Sequence, residues 1–452
     1  MKFFNFTAVT LTLASYSVLY AKEKPNIIII VADDYGYSDS SFNPFHSPEV
    51  STPNIDRLAK SGVTCTDGYV TAHISSATRA GLMTGRYQQR YGLYTAGEAG
   101  SGLDMNAKII PQYLKEQGYT TGQFGKWHLG PDIQWSPYKR GFDYQFGFLG
   151  RGAHDYFYLN DPKDPIYRND VEIEEKGYLT DRLGEEVVDF ISRNKENPFF
   201  AYLAFNAVHS PMQAPEKDIA LFNTPDTTRN IMLAMIHRMD EAIGKVLDKL
   251  EEDNLRDNTL IFFMSDNGGE LKLKAENKPF NGGKHMDYEG GIHVPFLVSW
   301  PSQLKQSVCS TPVISLDVLP TILAALGQEN KYDMNRSFDG KNILPLLKGN
   351  STIGDRVLYW SGGSLDPWWA IRKDDWKVVG NKDKQQLFNL KKDIGEKTDL
   401  SEQYPEKMKE LVALHNAWLE NMADPVNKAN YKRWSKGRLN KSDLKREKKN
   451  ND

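Results

Sequence analysis

The 452-residue chain carries 56 basic and 59 acidic side chains, a formal net charge of -3, and is 40% hydrophobic and 25% charged. That length has room for two or three domains with substantial cores, and the composition is that of a globular chain, which excludes disordered and membrane-embedded classes. The even charge balance argues against general nucleic-acid binding, and two cysteines, Cys65 and Cys309, are too few for a disulfide framework or a Cys-rich zinc site.

Residues 1–21 carry Lys2 and no acid, an apolar stretch centred on Ala8 to Leu13, and the small Ala21 before a charged run starting at Lys22. This reads as a secretory signal peptide, against the alternative of a buried N-terminal strand or helix, and places the protein in the periplasm or outside the cell. No later run is apolar enough to be read as a transmembrane segment. The cysteines are read as free thiols, with their pairing left open by spacing alone.

Asn26 to Ala32 is a continuous β-branched run that ends abruptly in Asp33-Asp34, as expected for a central strand buried on both faces. Thr259 to Met264 is a second such run and ends in Ser265-Asp266-Asn267-Gly268-Gly269. Between them, Pro198 to Phe205 is a third strand, just before His209. Met232, Met235, Ile236, Met239, Ile243, Val246, Leu247 and Leu250 mark an amphipathic helix. Helices feeding buried strands predict an α/β fold with a large mixed, mostly parallel sheet sandwiched by helices. After Asp355 come shorter strands (Val357 to Trp360, Trp368 to Arg372, Trp376 to Val379, Gln386 to Leu390) and a helix from Pro405 to Glu420. These predict a smaller α+β subdomain with an antiparallel sheet. The expected division is signal peptide 1–21, catalytic domain 22–355, subdomain 356–427 and a basic, disordered tail 428–452 with 10 basic against 3 acidic residues.

Paired carboxylates at a strand end repel each other unless something neutralises them, and a divalent cation is the usual partner. Asp33, Asp34, Asp266 and the amide oxygen of Asn267 are hard oxygen donors, which suit Ca²⁺ or Mg²⁺ and disfavour zinc. The segment Ser75 to Gly85 reads as a helix with Ser75 in its first turn and Arg79 one turn on. Its serines are either simple caps or an anion-binding, reactive helix start.

These residues resemble the formylglycine-dependent sulfatases of the alkaline phosphatase superfamily. Their nucleophile motif matches at Ser75, Ala77, Arg79, Thr84 and Gly85, with Met83 in place of Leu. The rest follows in order: Asp33-Asp34, Gly125 to Gly130, His209 before Ser210-Pro211, Ser265 to Gly268, Gly282-Gly283-Lys284, and Tyr288 to Gly291. Ala370 to Arg372, Asp375 to Lys377 and Leu387 to Leu390 look like the family's terminal subdomain. The resemblance covers residues 24 to 420. It departs at His293, where Arg is common, and at His73, where Pro is common. Both are expected to bear on substrate choice, together with the aromatic pair Trp368 and Trp369. Tyr35, Tyr37, Tyr156, Phe157 and Tyr158 are expected to be packing residues.

The resemblance implies an exported sulfuric ester hydrolase acting on a sulfated carbohydrate. Its catalytic residues would be Ser75, Arg79, Lys126, His128, His209 and Lys284, with Asp33, Asp34, Ser75, Asp266 and Asn267 around the metal. It further implies that Ser75 is oxidised to formylglycine by an anaerobic radical-type maturating enzyme, because serine itself is a poor nucleophile. The rival readings are a phosphatase or phosphodiesterase of the same superfamily and a non-catalytic binder of sulfated glycans.

Overall fold

The computed structural model describes residues 24–96, 102–150, 152–162, 164–332, 334–363 and 366–426. The signal peptide expected at 1–21 and the basic tail expected at 428–452 lie outside these residues. The first apolar run is a strand, Asn26–Ala32, buried along its whole length. Its side chains alternate between two cores. Ile27, Ile29 and Val31 join Met83, Leu114, Trp127 and Leu319 on one face, and Ile28, Ile30 and Ala32 join Leu183, Val187, Met235 and Met239 on the other. A strand with a core on each side has no polar face, so its sequence does not alternate. Each of these buried aliphatic side chains contributes about 1.5–3 kcal/mol.

Asn26–Ala32 lies near the middle of a ten-stranded sheet. From one edge the order is Ser307–Cys309, Gly62–Cys65, Phe296–Ser299, Thr259–Ser265, Asn26–Ala32, Phe199–Ala204, Thr120–Lys126, Tyr144–Phe148, Ile166–Arg168 and Val171–Ile173. The five strands from Thr259–Ser265 to Tyr144–Phe148 run parallel, and antiparallel partners flank them. The helices Leu179–Asn194 and Thr227–Glu252 cover one face, and Ser75–Thr84 and Val318–Ala325 cover the other. All eight apolar positions that marked the long helix are buried, and Asp226 caps its start by accepting from the backbone of Thr228 and Arg229. Cys65 and Cys309 share a register position on neighbouring parallel strands, and both are free thiols.

The C-terminal strands Val357–Ser361, Trp369–Lys373, Trp376–Gly380 and Gln385–Asn389 form a four-stranded antiparallel sheet in chain order. Helix Pro405–Leu419 packs on one face through Leu411 against Ile371, Val378 and Leu387. The other face shares a core with the main body, where Leu358, Trp360, Ala370 and Phe388 meet Tyr69, Tyr288, Ile292 and Leu316.

The aromatic expectation holds for Tyr35, Tyr37 and Tyr156, which are buried; Phe157 is half exposed yet packs on Tyr178, with ring centroids 5.1 Å apart, and the expectation fails for Tyr158, which is exposed. The Tyr156 hydroxyl lies 2.7 Å from the Asn206 carbonyl and 2.8 Å from that of His209. Asp155 meanwhile accepts from the backbone N–H groups of Phe157 and Tyr158. The resulting turn keeps one ring inside and leaves the next two outside.

Candidate active site

The parallel strands end on one side of the sheet, and the groups just beyond those ends converge there, as in open α/β sheets generally. Asp33 and Asp34 follow the first strand, and Asp266 and Asn267 follow Thr259–Ser265, whose Ser265 pairs with Ala32. Lys126 is the last residue of its strand. Helix Ser75–Thr84 starts over this cluster and is closed by Gly85 at φ 65°, a left-handed conformation that glycine tolerates.

Each carboxylate has its own cation, with Lys126 and Arg79 buried and Lys284 partly so. Lys126 Nζ donates to Asp33 Oδ2 at 2.5 Å, Lys284 Nζ to Asp34 Oδ2 at 2.7 Å, and Arg79 to Asp266 Oδ2 through Nη2 at 2.7 Å and Nε at 3.0 Å. Burial pushes the Asp33 carboxyl up, but Lys126, His209 and Arg79 override it and hold the group below the usual carboxylate range. Asp34 behaves alike, with burial opposed by Lys284 and His209. Lys126 is drawn down by burial, with Arg79 and Lys284 acting in the same direction, whereas Asp34 and Asp33 outweigh burial and raise Lys284.

The Ser75 hydroxyl sits inside this array, 3.0 Å from Asp33 Oδ1, 2.5 Å from Asp266 Oδ2 and 3.2 Å from Lys126 Nζ. Helix capping does not account for it: the N-cap is Ile74, and Ser75 reaches across to two strand ends. His209 faces Asp34 with Nε2 3.6 Å from Oδ2, and its Nδ1 lies 2.8 Å from the Ser210 carbonyl. A carbonyl only accepts, so Nδ1 carries the proton and Nε2 is the atom turned to the site. His128 is buried, and burial together with Lys126, Arg79, His209 and Lys284 holds its pKa well below the ordinary histidine value. Its ring is neutral.

The donor set fits a divalent cation. Asp33, Asp34 and His209 offer ligand atoms within 4.8 Å of one another. Asn267 Oδ1 is a buried acceptor with no hydrogen-bond partner among the described residues, although its amide nitrogen donates to Asp34 Oδ1 at 2.8 Å. A buried oxygen acceptor without a hydrogen-bond partner, set among carboxylates, is a group that a hard cation satisfies. The loops bearing these groups interlock through glycine: a Cβ on Gly268 would lie 1.8 Å from the Gly290 carbonyl oxygen, so the two backbones approach this closely only without side chains.

The residues expected to touch substrate divide. His73 lies beside the site, with Nδ1 2.6 Å from Asp287 and Nε2 3.6 Å from Asp366. Trp368 is partly exposed near Tyr288, with ring centroids 5.3 Å apart. Trp369 points to the other face of its strand, against His415 of the C-terminal helix, with ring centroids 4.6 Å apart, so it is no wall of the site. His293 also leaves the substrate set: it is buried, its Nδ1 lies 2.8 Å from Glu289 and its Nε2 2.6 Å from the Thr66 carbonyl. It belongs to a buried network in which Lys377 pairs with Glu289 at 2.8 Å and Glu396 at 2.9 Å, fastening the C-terminal sheet to the 289–293 segment. Asp287, Asp366 and His285, which close in around His73, carry no local spacing signal. Asp366 comes from another sheet, and only its fold position reveals it.

Comparison with known proteins agrees with this geometry. The Sulfatase family model matches residues 25–328, and a model described as N-sulphoglucosamine sulphohydrolase, C-terminal, matches residues 280–424. Human N-acetylgalactosamine-6-sulfatase is 32% identical over 76% of this chain and 70% of its own length. The Escherichia coli protein called uncharacterized sulfatase YdeN is 27% identical over 92% of this chain and 89% of its own. Among solved structures, Ps i-CgsB in complex with k-i-k-neocarrahexaose superimposes with a TM-score of 0.85 at 37% identity, covering 93% of this chain and 99% of that one. The chain thus belongs to the sulfatase family of the alkaline phosphatase superfamily and is a sulfuric ester hydrolase.

Proposed function

We propose that the protein is exported and removes a sulfate ester from a carbohydrate, specifically a sulfated galactan oligosaccharide, using formylglycine made from Ser75 and a bound divalent cation. The observation that carries this reading is the place of the Ser75 hydroxyl, within 3.2 Å of Asp33, Asp266 and Lys126 at the ends of three strands. The galactan assignment draws on the relative crystallised with a neocarrahexaose, and export on the N-terminal sequence. A radical-type maturating enzyme, acting before export, would convert the serine.

Asp33, Asp34, Asp266 and Asn267 would hold Ca²⁺ or Mg²⁺. When present, the hydrated formylglycine supplies one hydroxyl to attack sulfur and a second that allows turnover, and the cation supplies positive charge at that hydroxyl. Lys126, Lys284 and Arg79 hold the carboxylates ionised and in place. With the cation they leave the site net positive, and this field favours the charge that develops as the S–O bond breaks. Protonated on both ring nitrogens, His209 delivers the Nε2 proton to the departing sugar oxygen, and its Nδ1–H stays tied to the Ser210 carbonyl. His128, kept neutral, accepts a proton on the nucleophile side. We read residues 22–355 as the catalytic domain and 356–427 as a subdomain that completes its rim.

The test is ion-chromatographic measurement of sulfate released from carrageenan oligosaccharides, beside aryl sulfates, aryl phosphates and phosphodiesters. Sulfate release with negligible phosphate release is the expected result. Turnover of phosphate esters in preference to every sulfate ester would overturn the proposal.

A further inference from the structure

The reacting groups are sealed from solvent, and that fixes which side chains a sugar ring meets. Asp33, Asp34, Ser75, Arg79, Lys126, His128 and Asp266 are all buried, so a sulfate group reaches them while the ring that carries it stays outside. Among the described residues, accessible polar side chains beside these groups include His209, 17% exposed, Asp366, 26%, and His285, 55%. The mechanism uses only the first.

Asp366 is held as a receptor is held. Its Oδ1 accepts from the Trp368 backbone N–H at 3.0 Å, and its own N–H donates to the Gly362 carbonyl at 3.1 Å. Its Oδ2 is left with one long contact, 3.6 Å to His73 Nε2. His73 lies two residues before Ser75 and is clamped from behind by Asp287 at 2.6 Å. His285 follows Lys284, its backbone N–H donates to the His73 carbonyl at 3.2 Å, and burial with the adjacent Lys284 and His73 lowers its pKa. Asp287 and Asp366 place two carboxylates around the one imidazole of His73, so their charge exceeds any that the ring carries. This wall is therefore net negative, opposite in sign to the pocket beside it.

We infer that Asp366 is a specificity-determining residue: its Oδ2 accepts a hydrogen bond from a free hydroxyl on the same ring that carries the scissile sulfate, and its charge turns away a ring bearing a second sulfate there. His73 is a positioning residue that sets the carboxylate, and His285 offers a neutral ring to the same sugar. A carboxylate accepting from a hydroxyl makes a strong charge-assisted bond. A site built for such a bond discriminates steeply against a ligand that cannot make it, because the acceptor, covered by the bound ring, is left unpaired. Placing a second anion against the carboxylate adds repulsion.

The inference rests on the carbohydrate reading, and the experiment separates the two. Matured enzyme is assayed on galactose rings bearing one sulfate, on rings bearing two, and on 4-nitrophenyl sulfate. Wild-type enzyme should favour the singly sulfated ring in kcat/KM by at least about tenfold. Asp366→Asn should lower the ratio of sugar to aryl kcat/KM by about 10- to 100-fold and narrow the preference against the second sulfate. Asp366→Glu should recover part of both. Thermal unfolding of each variant reports folding, and the wild-type ring preference is informative without any variant. Sugar sulfates hydrolysed by wild type with the doubly sulfated ring equal or better, or an Asp366→Asn ratio within threefold of wild type, would overturn this inference alone. Hydrolysis of aryl sulfate and no sugar sulfate would overturn the carbohydrate reading and this inference with it.

Discussion

Replacing His209 with alanine removes an imidazole that is 17% exposed and whose Nε2 lies 3.6 Å from Asp34 Oδ2. The ring is oriented by its Nδ1 contact to the Ser210 carbonyl at 2.8 Å, and the segment is braced by the Tyr156 hydroxyl 2.8 Å from the His209 carbonyl. Because the Tyr156 hydroxyl holds the His209 carbonyl and the His209 N–H donates to the Asn206 carbonyl at 2.9 Å, contacts that do not involve the ring, His209→Ala should leave the loop in place and delete the proton source. Positioned acid catalysis is worth about 10²- to 10⁴-fold, or roughly 3 to 5 kcal/mol of barrier. The whole of that loss should fall on sugar sulfates, whose alkoxides leave poorly without a proton, and little of it on 4-nitrophenyl sulfate, whose phenolate leaves unaided. The assay is kcat/KM for both substrates in wild type and His209→Ala, with the ratio of the two losses as the readout. A ratio of at least about 10² is expected. Equal losses on both substrates would show that His209 binds the sulfate or supports the loop, and that protonation of the leaving oxygen comes from elsewhere.

Arg79→Met should destabilise the fold by about 3–5 kcal/mol in urea unfolding of metal-free protein, because Asp266 keeps its buried charge and loses its guanidinium partner; adding Asp266→Asn should restore part of the loss. His73 gains its partners on folding and its pKa rises from 6.5 to about 10. Its contribution to stability is therefore complete below pH 6.5 and lost as pH climbs through 10, and melting temperatures of wild type should fall over that window more steeply than those of His73→Gln. Exhaustive chelation should lower both the rate and the melting temperature, with Ca²⁺ restoring them, and undiminished rate at a confirmed metal content of zero would contradict the metal assignment.

The central strands were legible because burial on both faces demands an unbroken apolar run, and the chain has such runs at 26–32, 199–204 and 259–265. The reactive core was legible for a related reason. Asp33, Asp34, Asp266 and Asn267 each follow one of these strands directly, so locating the strand end locates the group. Sequence could not show which way a side chain turns once several elements meet. His293 and Trp369 sit beside motif residues in the chain, yet one is tied to Glu289 and the Thr66 carbonyl and the other lies under the C-terminal helix. Conversely, Asp366 approaches His73 from a different sheet, with some 290 residues of chain between them, so no spacing announces it. The last two strands of the sheet order, Ile166–Arg168 and Val171–Ile173, were missed because only one of their six residues is fully buried, leaving little hydrophobic pattern to read.

The mass of the peptide carrying residue 75 tests the account most directly, measured on enzyme made with and without an anaerobic radical maturase and set beside the sulfate-releasing activity of the same preparations. The account predicts a peptide lighter by two hydrogen atoms with the maturase, activity in proportion to the converted fraction, and folded but inactive protein when Ser75 stays a serine. Full activity from unconverted Ser75, or from Ser75→Ala, would contradict it.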